Sequence, residues 1–318
     1  MTPLPPHAHR WLRLSPAAAA ARAAGRPLVA LESTLIAHGM PYPQNLRTAR
    51  ALEAAIRAEG AEPATIALMD GHIRIGLDDH ALERLARDGR ARKVSRRDLP
   101  GVLAEGSLGA TTVAATMICA HLAGIEVFVT GGIGGVHRGA AETFDISADL
   151  QELARTPVAV VCAGAKSILD IGLTLEYLET HGVPVLSCGQ DNFAAFWQRD
   201  SGYRADWRLD APEAQARFIR TQWELGLHAG VVLSTPVPEA CALPAAEADA
   251  LTQQALAEAR DQGIRGKAIT PFLLARIVAL SDGRSLAANI ALAEHNAQVG
   301  ARLAVALAKL PTTAPGAD

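Results

Sequence analysis

Four stretches of the chain carry side chains able to do acid–base, covalent or ligand-binding chemistry, three of them just beyond an apolar run. Glu32 follows Leu28-Val29-Ala30-Leu31 and precedes Ser33 and Thr34, a position that suits a general acid or base at a sheet edge, or equally a carboxylate that caps a loop. Lys166 follows Val158-Ala159-Val160-Val161-Cys162; most lysines in such connections are simply solvated, but few are set, as this one is, among Ala163, Gly164 and Ala165 at the end of a strongly apolar strand. Ser167, with Asp170 three positions on, reads as a capping pair for a helix over Ser167–Thr180. An ammonium at the positive end of that helix is electrostatically misplaced, and this favours a nucleophilic, imine-forming amine.

Two further stretches supply polar neighbours. Thr130-Gly131-Gly132-Ile133-Gly134-Gly135-Val136-His137-Arg138-Gly139 runs from a strand into a glycine-rich loop with two basic side chains, a composition that suits a phosphate or forms a turn. It matches neither the Walker pattern nor the dinucleotide fingerprint. In Phe144-Asp145-Ile146-Ser147-Ala148-Asp149-Leu150 two carboxylates four apart flank a serine, and oxygen ligands at that spacing suit Mg²⁺ or Mn²⁺. The alternative is that Ser147 is only an N-cap and Asp149 only a complement to the helix dipole, a reading that suits Asp149 better than Asp145, which precedes the helix. Near the C-terminus Thr270-Pro271 reads as the capped start of a helix, and Asn289 and Asn296 interrupt an Ala-rich one, either at a polar site facing the sheet or exposed to solvent.

The elements that must position these groups are legible as short, β-branched apolar runs alternating with helical patterns, which predicts an α/β fold: a three-layer α/β/α arrangement with a mainly parallel central sheet and a helical C-terminal region. Strands are expected at Pro27–Leu31, Thr65–Met69, Val127–Thr130, Val158–Cys162, Val183–Ser187 and Gly230–Ser234. Helices are expected near Gln44–Glu59, Thr111–Leu122, Ser147–Arg155, Ser167–Thr180 and Ala211–Leu225. An N-terminal extension over 1–25, one domain over 26–310 and a flexible tail over 311–318 complete the expected organisation.

At 318 residues, with 49% apolar and 20% charged side chains, the chain reads as a globular protein with a sizeable core. A net charge of -3 without a basic stripe argues against a nucleic-acid polymer and for a small ligand in a pocket. No segment is long and apolar enough to expect a membrane span. The four cysteines, widely spaced and without a CxxC pair, suit reduced core thiols in a cytoplasmic protein.

Taken together, Glu32 to Asn45, Gly109-Ala110-Thr111-Thr112-Val113-Ala114-Ala115-Thr116-Met117, Val129 to Asp149, Ala163 to Ser167 and Gly283 to Asn296 resemble the pseudouridine-5'-phosphate glycosidase family, over roughly residues 27 to 309. The resemblance implies an α/β/α homotrimer that uses one Mn²⁺ per subunit. It also implies reversible conversion of pseudouridine 5'-phosphate and water into uracil and ribose 5-phosphate. By resemblance Glu32 is the proton donor, Lys166 the nucleophile, Asn289 a further residue of the catalytic site and Asp145 the metal ligand. Lys93, Val113, Thr130, His137, Ser147, Ala148 and Asp149 are implied to contact substrate, with Lys93 and His137 as cations. The run Cys188–Trp197 departs from the family's usual tyrosine-containing version, so its conformation is left open. An imine-forming aldolase or lyase on another sugar phosphate, and a non-catalytic sugar-phosphate or nucleotide binder, are the competing readings.

Overall fold

The apolar β-branched runs form the strands expected of them. The computed structural model describes residues 8–264 and 266–311. Its strands are β1 (Leu12–Leu14), β2 (Leu28–Leu31), β3 (Glu62–Met69), β4 (His72–Ile75), β5 (Arg92–Val94), β6 (Gly109–Thr111), β7 (Val127–Val129), β8 (Val136–His137), β9 (Ala159–Cys162), β10 (Leu169–Asp170), β11 (Val185–Ser187), β12 (Trp207–Arg208) and β13 (Val231–Ser234). The main sheet runs β1-β4-β3-β2-β7-β9-β13-β11-β12, with β6 beside β3 and β5 beside β6. Every pairing from β3 through β2, β7, β9, β13 and β11 to β12 is parallel, whereas β4 and β6 each run antiparallel to β3. Central strands covered on both faces need no polar alternation, and all four residues of β2, β9 and β13 are buried.

The helices are α1 (Pro16–Ala23), α2 (Thr34–His38), α3 (Gln44–Ala58), α4 (Asp79–Arg87), α5 (Leu99–Glu105), α6 (Val113–Leu122), α7 (Ala140–Thr143), α8 (Ala148–Leu153), α9 (Ile171–Thr180), α10 (Pro212–Glu224), α11 (Ala245–Asp261), α12 (Ile269–Leu280) and α13 (Arg284–Lys309). On one face α13 crosses β2, β7 and β9 with α3 and α10 alongside it; on the other α6 packs on β2, β3 and β7 with α8 against it. Gly300 allows α13 to lie close on the sheet, since a Cβ there would sit 2.2 Å from Cγ2 of Val129. The three-layer architecture is therefore the one expected.

The margins and two helix starts differ in detail from the sequence reading. In the N-terminal segment β1 pairs parallel with β4 at the sheet edge, and the short helix α1 buries Ala18 and Ala21. The last seven residues, 312–318, of the expected tail lie outside the described residues. The helix expected over Ser167–Thr180 begins only at Ile171, capped by Asp170, whose side chain accepts from the Leu173 amide at 3.0 Å. Lys166 and Ser167 thus belong to an irregular turn held by Lys166 N–H to Ile133 C=O (3.1 Å), and the helix-dipole argument for Lys166 does not apply. Likewise α12 starts at Ile269 without a side-chain cap, so Thr270 is a first-turn residue and not the cap.

Candidate active site

The C-terminal ends of parallel strands are where an open α/β sheet gathers its loops, and the chemistry-bearing side chains converge there. A cleft of about 210 Å³ is lined by Glu32, Thr34, His38, Lys93, Thr112, Val113, Gly134, His137, Ser147, Ala148, Asp149 and Lys166, with Leu35, Leu169, Pro271 and Leu274 as apolar wall. Eight of the eleven residues singled out in sequence, Glu32, Lys93, Val113, His137, Ser147, Ala148, Asp149 and Lys166, meet in this one space.

Glu32 leaves β2 directly into α2 and is 8% exposed. Its two carboxylate oxygens accept from the hydroxyls of Thr130 and Thr34, so the group is aimed from both sides. Thr130 lies behind the cleft lining, and its hydroxyl orients Glu32. Its backbone carbonyl is held in turn by Asn296, whose amide nitrogen donates to it at 2.8 Å from inside α13. Asn296 is fully buried, and its amide oxygen accepts from the Thr235 hydroxyl at 2.5 Å.

Asn289, by contrast, does not reach the cleft. Its amide oxygen accepts from the indole nitrogen of Trp197 at 2.6 Å, which pins the end of the Cys188–Trp197 run to α13. That run folds inward, with Phe193, Phe196 and Trp197 buried, and Phe196 takes a left-handed φ of 65°.

Several backbone amides of the glycine-rich loop are already spoken for. The amides of Ile133, Gly134, Val136 and His137 are committed to Gly164 C=O, Asp149 Oδ2, Thr174 Oγ1 and Asp145 C=O. Its glycines are needed for closeness, since a Cβ on Gly134 would sit 2.2 Å from Ser147 Oγ and one on Gly135 2.4 Å from Thr174 Oγ1. Arg138 turns away to the Ser167 carbonyl at 3.4 Å. Anion-attracting dipoles come instead from α6 and α8, whose first turns, at Thr112–Val113 and Ser147–Ala148, both line the cleft beside Lys93 and Lys166.

Asp149 binds these parts together. Its carboxylate accepts from Ala114 N–H and Gly134 N–H, both at 2.9 Å, tying α6 to the glycine loop, while Ser147 caps α8 by accepting from the Asp149 amide at 3.2 Å. This is more than a dipole complement.

Burial holds His137 below the usual imidazole range; neighbouring Asp145 opposes the shift, and Lys166 and Lys93 reinforce it. A neutral imidazole replaces the cation expected there. Cys162, at the end of β9, has its thiol pushed up to about 12 by burial, so no thiolate competes as a nucleophile.

Asp145 lies outside the cleft lining, its side chain 39% exposed and its Oδ2 3.9 Å from Nδ1 of His137. Among the described residues no three His, Cys, Asp or Glu side chains converge as a metal-ligand group. One carboxylate fits only a cation that keeps most of its waters, as Mg²⁺-like ions do.

His38 and Thr34 of the cleft were not singled out in sequence. A lone histidine or threonine on a short helix carries no pattern, and only their adjacency to Glu32 on α2 could have drawn attention to them.

Comparison with known proteins agrees with this geometry. The family model described as Indigoidine synthase A like protein matches residues 17–306. The chain is 77% identical to the pseudouridine-5'-phosphate glycosidase of Cupriavidus pinatubonensis, over 95% of this chain and 96% of that one. It is 57% identical to the enzyme of the same name from Caldanaerobacter subterraneus, over 95% and 98%. Among solved structures it resembles a prealnumycin C-glycosynthase in complex with ribulose 5-phosphate, with a TM-score of 0.87 and 41% identity over 94% of this chain and 97% of that one. It also resembles an indigoidine synthase A-like protein of Thermotoga maritima, with a TM-score of 0.84 and 36% identity over 90% and 94%. The chain belongs to the Indigoidine synthase A-like family and, within it, to the pseudouridine-5'-phosphate glycosidases.

Proposed function

We infer that the protein reversibly cleaves the C–C glycosidic bond of pseudouridine 5'-phosphate, giving uracil and ribose 5-phosphate. The observation that carries this reading is one cleft, in a chain of this family, that holds both a lysine amine and a carboxylic acid braced by two hydroxyls. The leaving atom is carbon C5 of uracil, so protonating an exocyclic oxygen, as ordinary glycosidases do, cannot release it.

The Lys166 amine adds to C1' and the ring oxygen leaves as the 4'-hydroxyl, opening the ribose. The nitrogen lone pair then forms the imine as the C1'–C5 bond breaks, and Glu32 delivers a proton to C5. Water hydrolyses the imine, releasing ribose 5-phosphate and regenerating the amine. Thr130 and Thr34 keep the Glu32 carboxyl aimed. Lys93 and the first turns of α6 and α8 attract the phosphate. Asn289 supports the site from behind through Trp197.

Asp145 would hold a Mn²⁺ ion through one oxygen, and when bound the ion supplies positive charge and ordered waters at the phosphate end. The protein works as a homotrimer, and the exposed apolar side chains of Phe144, Leu173, Tyr203 and Trp207 offer surface for it. Its four free cysteines suit a reducing cytoplasm, and among the described residues no helix is long and apolar enough to cross a membrane. Incubation with pseudouridine 5'-phosphate and Mn²⁺ should release free uracil, detected by chromatography. Turnover of other sugar phosphates without uracil release would favour the aldolase-like reading instead.

A further inference from the structure

His38 ends α2, six residues after Glu32, and its imidazole forms part of the cleft wall. Its Nε2 is buried and has no hydrogen-bond partner; of the side-chain atoms in that condition among the described residues, it is the one on a cleft-lining residue. Such an atom is costly to leave unmade, so a structure that keeps one beside a binding site needs a donor that arrives or moves. The ring is oriented by a hydrogen bond to the backbone of Ala91, two residues before Lys93 on β5. That bond uses the other ring nitrogen as donor, and Nε2 is left as a lone-pair acceptor. The ring stays neutral because burial, and then the Lys93 charge, both disfavour its protonated form. Lys93 is thus the cation whose field falls on His38, and both side chains face the same cleft.

We propose that His38 is a positioning residue for Lys93: its Nε2 accepts a proton of the Lys93 ammonium and aims that ammonium at the phosphate of the sugar phosphate. An ammonium carries three donors on a flexible stem, so a neutral acceptor in the wall restricts its direction while leaving the charge intact. The proposal rests on the sugar-phosphate reading of the cleft. It differs from a structural role for His38 in predicting energetic coupling to Lys93.

The test is a double-mutant cycle on ribose 5-phosphate affinity, measured by titration calorimetry on the full-length protein, with uracil turnover followed separately. In His38→Asn the side-chain amide can take the Ala91 bond but nothing replaces Nε2, whereas in His38→Gln the amide reaches the Nε2 position. His38→Asn should weaken ribose 5-phosphate binding roughly tenfold, as expected for loss of one hydrogen bond to a charged group. His38→Gln should recover to within about threefold of wild type, the residue of an imperfectly restored bond. Lys93→Met should weaken binding more, and adding His38→Asn to it should change little further, because the coupled partner is already gone. Independent, multiplying effects of the two substitutions would overturn the proposal, as would wild-type affinity in His38→Asn. If wild type binds ribose 5-phosphate but forms no pseudouridine 5'-phosphate with uracil, the proposed reaction fails while the cycle still decides the role of His38.

Discussion

Replacing Asp149 by asparagine should unfold the cleft from behind. The two carboxylate oxygens each accept a buried backbone N–H, Ala114 through Oδ1 and Gly134 through Oδ2, both at 2.9 Å. Asparagine is nearly isosteric but presents an NH₂ to one of those donors, so one bond is lost, one N–H is left unsatisfied and the surviving bond loses its charge assistance. An unsatisfied buried donor costs about 1–3 kcal/mol and charge assistance is worth about 1 kcal/mol, so the destabilisation should be about 2–4 kcal/mol. For a chain of this size that corresponds to a melting temperature roughly 3–6 °C lower. Calorimetric or fluorescence melting of the unliganded protein measures it directly. A variant that melts within about 1 °C of wild type would refute the clamp and leave Asp149 only the substrate contact implied by resemblance.

Three shorter predictions accompany it. Thr130→Val removes a hydroxyl from Glu32 without touching the cleft lining, and should lower kcat roughly 10–100-fold with KM nearly unchanged in steady-state uracil release. Asp145→Ala should raise the Mn²⁺ concentration needed for half-maximal activity by roughly tenfold or more, and chelation should silence the wild type; activity indifferent to Mn²⁺ in both would remove the metal from the account. Stability should fall as the pH drops from 7.5 to 5.5. His38, His121 and His295 are held below the ordinary imidazole value of 6.5, chiefly by burial, so the unfolded chain binds protons that the folded one resists. Their penalty grows as pH falls through 6.5 and saturates below their folded values. Glu53, raised above 4.5 mainly by burial, acts in the opposite sense as it takes up its proton. A urea midpoint that rises on acidification across this window would contradict the sign.

The central strands were legible because a parallel strand covered on both faces must be a continuous apolar run, and Val158–Cys162 or Gly230–Ser234 can be little else. The margins were not. β1 has three residues, and β5 and β6 are as short; their pairings depend on partners far along the chain. The helix after Lys166 was started too early because Ser167 and Asp170 have capping spacing, yet Asp170 is itself the cap and the turn before it is set by the glycine loop through Ile133. Of the two helix asparagines, Asn289 and Asn296 look alike in sequence. Which one serves the carbonyl of Thr130, and which one the indole of Trp197, is decided by the rotation of α13 on the sheet. Part of the glycine loop borders the cleft, and there Gly134 and Gly135 make room for Ser147 and Thr174.

The central claim is a covalent imine between Lys166 and the open-chain sugar, and borohydride reduction tests it most directly. Wild-type protein incubated with ribose 5-phosphate and reduced should gain the mass of one reduced sugar phosphate, located by peptide mass spectrometry on the peptide containing Lys166 and absent from Lys166→Ala. Adduct formation on another lysine, or none in a sample that turns over pseudouridine 5'-phosphate, would contradict the account.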